Sequence, residues 1–191
     1  MKSLKHLLAT AFIFISFAAA AQNEIPQGFA KGSVGLSDGS TLTGFLKDNI
    51  RKESAVTFIS EPGAKKKKYP GSDIISAEID GAKYLCIKGD FFKVVCTGDL
   101  CFLQKSSDAS AIPVYNGSEA IFSNGTEGRP GDYFIYSNTG KQLKRVSKTT
   151  VEVVAASSFA GCTAAIEKAK TAKDDIAKLK DAVDIYNNRN N

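Results

Sequence analysis

Glycine and aspartate punctuate this chain and constrain its fold more than any other feature. Asp38-Gly39, Asp80-Gly81, Gly89-Asp90 and Gly98-Asp99 each separate two short apolar runs. Such pairs favour the positive-φ turns that match the twist of antiparallel strands. A chain broken this way is driven to hairpins rather than to long helices. Alternating apolar positions in 32–36 and 41–46 flank the first turn, and 56–59, 73–79, 83–87, 91–96 and 101–104 follow as strands. The expectation is six or seven short strands in an antiparallel β-meander, curled into a roll or small barrel. Residues 133–136 and 143–146, around Asn138-Thr139-Gly140, add one more hairpin.

The pattern changes after Val146. Thr149 and Glu152 have the spacing of a capping box, with Thr149 as N-cap. Val151, Val154, Ala155, Ser158 and Phe159 recur at helical spacing, although the β-branched Val151 and Val153 also suit a strand. The Ala- and Lys-rich stretch 162–173 reads as helix. Asp174-Asp175 is a start signal for another helix, with Ile176, Leu179, Val183 and Tyr186 as its apolar stripe. The fold class is therefore α+β. A β-rich region, 22–146, precedes a helical segment, 147–191, of two or three helices packed on it.

Residues 1–21 read as a cleavable signal peptide. Lys2, Lys5 and His6 form a positive start without acids, residues 7–17 an apolar core, and residues 18–21 are alanines suited to cleavage. The apolar core is shorter than the ~20 residues that span a bilayer. No cysteine stands at the cleavage point to carry a lipid. A cut after Ala20 or Ala21 is expected, giving a soluble protein, periplasmic or secreted, without a transmembrane anchor.

Cleavage would remove the chain's one His and its one Met, and the chain has no Trp. Imidazole is then lost as general base and as metal ligand, which excludes Ser–His–Asp and Cys–His catalysis. No cofactor or metal is implied. The whole chain carries +5; losing the leader's two lysines and no acid leaves +3, too mild a balance to argue for nucleic acid.

Four cysteines in an exported chain suggest disulfides. A two-residue Gly98-Asp99 turn would set Cys96 opposite Cys101, where cross-strand side chains come closest, leaving Cys86 to Cys162. Free buried thiols are the alternative. The spacings lack the CxxC pattern of zinc or redox sites.

Two polar features invite a functional reading. Residues 106–131 are rich in Ser, Asn and Gly, and read either as a long surface loop or as two short strands with wide turns. Asn116-Gly117-Ser118 and Asn124-Gly125-Thr126 are formal glycosylation sequons, equally explained as Asn-Gly turns. Tyr115, Phe122, Tyr133 and Tyr136 could stack on a sugar or peptide here, or serve as core residues. The run Lys65–Lys68 reads as a solvated tip beside a strand edge, where lysines block edge-to-edge pairing. Its alternative is a patch for anionic lipid, polysaccharide or nucleic acid. The run itself lacks the interleaved aromatics of single-strand grooves.

The order of motifs resembles that of another group of chains. Gly-x-Val-x-Leu-x-Asp-Gly (32–39), Lys-Tyr-x-x-x-Asp-Ile (68–74), Tyr84 after Asp-Gly, Phe-Phe-Lys-Val-x-x-x-Gly (91–98), Phe-x-x-Cys (159–162) and Tyr186-Asn187 together are similar to small exported proteins of Bacteroidota without an assigned function. These motifs are turns, hairpins and a helix end, so the resemblance implies export and fold and carries no catalytic residue. The function expected is non-catalytic binding of an envelope or extracellular partner, protein or glycan. The alternative is a carboxylate-dependent hydrolase acting on an extracellular polymer, using a pair among Asp38, Asp73, Asp80, Asp90, Asp99 and Asp132.

Overall fold

The computed structural model describes residues 24–111, 114–116, 119–121 and 125–189, and of 111, 114–116 and 119–121 only the backbone. The expected leader, 1–21, lies outside the described residues. The described chain runs β1 (Phe29–Leu36), β2 (Thr41–Asn49), α1 (Ile50–Glu53), β3 (Ala55–Ile59), β4 (Lys67–Pro70), β5 (Ile74–Ile79), β6 (Ala82–Ile87), β7 (Asp90–Cys96), β8 (Leu100–Lys105), β9 (Val114–Asn116), β10 (Glu119–Ile121), β11 (Tyr133–Ser137), β12 (Gln142–Val146), α2 (Val151–Ser158), α3 (Thr163–Lys170) and α4 (Leu179–Asn187). The class is α+β, as the sequence predicts.

Ten strands form one antiparallel sheet in the order β12-β11-β8-β7-β6-β5-β1-β2-β3-β4, and β9 with β10 make a separate hairpin. The expected meander is interrupted once. After β4 the chain crosses over, and β5 pairs with the free edge of β1. Asp80 (φ 49°) and Gly81 (φ 77°) join β5 to β6 as expected, whereas the β6–β7 turn falls one residue earlier than Gly89-Asp90, on Lys88 (φ 50°) and Gly89 (φ 85°), and Asp90 opens β7.

The first half of the sheet curls. Gly32 of β1 pairs with Gly44 of β2. A Cβ on Gly32 would lie 2.0 Å from the Glu78 carbonyl oxygen, and one on Gly44 would lie 2.3 Å from that of Ile59. Two strands without side chains at facing positions bend tightly, as at a barrel corner. The bend wraps Val34, Leu46, Val56, Phe58, Tyr69, Ile74 and Phe91 into one buried cluster. Gly71, just past β4, bridges Gly89 in the β6–β7 turn. This bridge draws the curl together, but no ladder joins the terminal strands of the ten-stranded order, so the sheet is a roll and not a closed barrel.

The same face continues flatter through β8, β11 and β12, where the helices cover it. Leu100, Phe102, Ile135 and Val146 meet Val151, Ala155, Phe159, Ala165, Ala169, Leu179, Ala182 and Val183. Alanines at the contact let the helices lie close to the large rings beneath. Helix α2 starts one residue later than the capping box implies: its N-cap is Thr150, without a side-chain cap bond. Thr150 Oγ1 accepts instead from the Ser147 amide at 2.9 Å, and Glu152 pairs with Lys173 at 3.1 Å. The 3-10 turn before α4 is capped as expected, with Asp175 accepting from the Ala177 amide.

The end of α4 is tied to the β7–β8 loop. Asn187 Oδ1 accepts from the Leu100 amide at 3.0 Å, and its Nδ2 donates to the carbonyls of Leu100 (2.9 Å) and Thr97 (3.3 Å). Arg189 lies over the Tyr186 ring and pairs with Asp99 at 3.1 Å. A Cβ on Gly98 would come within 2.2 Å of the Asn187 side chain. Asn187→Ala is expected to cost about 1–3 kcal/mol through unsatisfied loop groups. Gly98→Ala should cost less in that background than alone, because the clashing amide is gone. A double-mutant cycle by urea denaturation checks this, and strict additivity would show that Gly98 and Asn187 do not meet.

Candidate functional site

The sheet's second face carries the features not explained by the core. Its interior end is set by one ion pair. Asp90, the first residue of β7, and Lys105, the last of β8, are both fully buried and lie 3.0 Å apart. The Asp90 carboxylate accepts from the Ala109 amide (2.6 Å), the Thr126 amide (2.7 Å), the Thr126 hydroxyl (2.8 Å) and the Ser107 hydroxyl (3.3 Å). Lys105 Nζ donates to the carbonyls of Thr126 (2.8 Å) and Gly128 (3.1 Å). Ser107 also receives the Phe91 amide at 2.8 Å. Both charges are thus almost wholly satisfied, which a buried pair needs to offset its desolvation. The network pins the two ends of the polar stretch 106–131 to the sheet. Beside it, Phe92, Leu103 and Phe134 form a small buried cluster, with Phe92 and Phe134 edge-on at 5.2 Å.

Beyond that cluster the face opens into a groove of about 460 Å³. Its floor is Leu85, Val94 and Cys101. Ser33, Ser76, Glu78 and Lys83 line one side, and Thr97, Gly98 and Asn138 the other. Leu85 and Val94 are only half-buried. Cross-strand pairing explains the set: Ser76 faces Leu85, Glu78 faces Lys83, and Cys101 faces Tyr136. Asn138 Nδ2 donates to the Gly98 carbonyl at 2.7 Å and approaches Cys101 Sγ at 3.4 Å, which fixes the rim. The volume suits a small ligand or a few side chains of a larger partner. An aliphatic floor with polar edges offers apolar contact area and orienting groups. The signal in the sequence was that 84–87, 91–92 and 94–96 are apolar at successive positions, so both faces of β6 and β7 are used.

The four aromatic candidates do not assemble into one groove. Tyr133 lies on the helix-covered face, stacked on Phe102 at 5.1 Å. Tyr136 lies on the opposite face, against the Phe92 cluster with Leu143. Neighbouring odd and even positions of a strand point apart, which separates them. Phe122 and the Tyr115 side chain lie outside the described residues, as does part of each sequon.

The cysteine pairing is corrected. All four cysteines are free. The β7–β8 connection has three residues, and an irregularity between Val94 and Cys96 shifts the register, so Cys96 faces Phe102. Cys96 then packs under the helices and Cys101 on the other face. Cys86 belongs to the curled core and Cys162 to the helical one, so they do not bridge either. Burial pushes the Cys86 thiol up to about 12. Burial first, and then Asp184, pushes Cys96 up to about 11.

The acids are dispersed. Asp38 is held below the usual carboxylate range by the Ser40 hydroxyl and amide. Asp132 pairs with Arg145 at 2.9 Å, Asp99 with Arg189, and Asp73 accepts from Ser72. Asp90, expected at a turn, is instead the buried partner of Lys105. Among the described residues no group of three or more His, Cys, Asp or Glu could hold a metal, and no helix is long and apolar enough to cross a membrane. No family model matches the chain, and no curated protein or solved structure matches it at a significant level.

Lys105→Met leaves the Asp90 charge buried alone and is expected to cost about 3–5 kcal/mol. Asp90→Asn with Lys105→Met should cost much less than the sum of the two. Urea denaturation measures both, and additivity would show that the pair is not coupled. Thiols raised in the folded state stay protonated until high pH, whereas unfolded thiols ionise near 8.5. Unfolding therefore releases protons between about pH 9 and 11, and stability falls as pH rises through that window. Cys86→Ala should flatten this fall, as read from urea midpoints at pH 8, 9.5 and 11; an unchanged slope would contradict the assignment.

Proposed function

We propose that the chain is an exported, non-catalytic protein that binds an envelope or extracellular partner on the outer face of its sheet. The observation that carries this reading is the groove over Leu85, Val94 and Cys101. Half-buried aliphatic side chains on a face opposite the helices offer apolar contact area without further folding. The polar rim supplies orientation. Tyr84 also lines the groove, but its ring packs into the curled core against Phe91, so a protein segment bearing an aliphatic side chain suits this groove better than a sugar. Export rests on the leader-like residues 1–21 and on the resemblance to small exported Bacteroidota proteins. The hydrolase reading is weakened because Asp38, Asp90, Asp99 and Asp132 each have a separate local partner.

Val94→Asp places a charge on the groove floor at a position that is not fully buried. Immobilised wild-type and Val94→Asp proteins, with matched circular dichroism, are challenged with the envelope fraction of the producing cells. A defined species retained by the wild type, and reduced at least tenfold by Val94→Asp, supports the groove. Equal retention by both would sink it. Release of new reducing ends from envelope polysaccharide by the wild type would favour the hydrolase.

A further inference from the structure

The lysine run looks bare in the sequence, but strand pairing gives it company. On the outer face of β1 and β2, Phe29 stands opposite Lys47, and Lys31 stands opposite Phe45. Two rings and two cations thus alternate as a two-by-two checkerboard. Neighbouring strands are about 4.8 Å apart, and same-face residues along a strand about 6.7 Å. The row continues from Lys47 through Thr57 of β3 to Lys68 of β4. Lys66 reaches over the Phe29 ring at 5.8 Å. All four lysines are exposed, and both rings are half-buried. The pairing Lys68–Glu53, at 2.8 Å, joins two exposed side chains and is easily exchanged. Ser33 and Thr43 make the next row, so no acid stands among the checkerboard positions.

We propose that this face, Phe29, Lys31, Phe45, Lys47, Lys66 and Lys68, binds an acidic polysaccharide of uronate type. Sugar rings lie against the two phenyl groups, and carboxylates meet the lysines between them. Alternation matters here: a uronate polymer carries an apolar ring face and a charge on each unit, and the checkerboard offers both at the spacing of strands. The strip ends at β4, the edge of the sheet, so a long polymer can run past it. A net charge of only +5 on the whole chain suits a polymer of modest charge density better than nucleic acid. This proposal deepens the glycan side of the binding function and rests on export for access to such a polymer. It does not use the groove.

The purified protein is titrated with polygalacturonate, with neutral dextran and with single-stranded oligo(dT), by calorimetry at 50 and 200 mM salt. Polygalacturonate binding that weakens about tenfold over that salt range, without binding to dextran, is the expected result. Lys31→Ser with Lys47→Ser should weaken it at least tenfold. Phe29→Leu with Phe45→Leu keeps charge and most apolar volume, and should weaken it at least fivefold. Val94→Asp should leave it unchanged, so failure of the groove and failure of this strip are told apart. No binding to polygalacturonate, tighter binding to oligo(dT), or a lysine effect without a phenylalanine effect would each overturn the proposal.

Discussion

The fold's outer face hinges on the buried pair of Asp90 and Lys105. Two opposite charges at the ends of β7 and β8 occupy a site with no solvent, and four donors and the main-chain carbonyls around Thr126 complete their shells. Removing either partner strands a charge. The pair's worth therefore lies less in net stability than in specification. Residues 107–109 and 126–128 supply groups that satisfy both charges, so the polar stretch between β8 and β11 is tied to the sheet at both ends.

The sheet divides its labour by face. The inner face is closed twice, by its own curl over the first half and by α2–α4 over the second. Among the described residues, the outer face is closed next to the ion pair and stays partly open over the groove. Strands apolar on both faces, as β6 and β7 are, would be wasteful if one face needed only water. Their second apolar face packs in part on Leu103 and Phe134, and the remainder floors the groove.

The hairpins were legible because Asp-Gly turns are local, and their backbone angles depend on a few residues. The helical segment was legible from its period. What local pattern could not carry is pairing at a distance. Nothing in the sequence of β1 says that β5 will take its second edge. The Cys96–Cys101 pairing failed for a related reason: a three-residue loop and one irregularity past Val94 turn the two thiols to opposite faces. Asp90 reads as a turn residue until Lys105 is known to lie beside it. The alternation of Phe29, Lys47, Lys31 and Phe45 is likewise invisible along the chain, because it exists only across strands.

The tie between Asn187 and the β7–β8 loop joins positions almost 90 apart in sequence. Contacts of such separation form late, since the intervening chain must lose its freedom first. Until α4 docks, Leu100 and Phe102 lack the part of their cover supplied by Leu179, Ala182 and Val183. Completion of the second core therefore waits on α4, whereas the curled first core contains none of its residues.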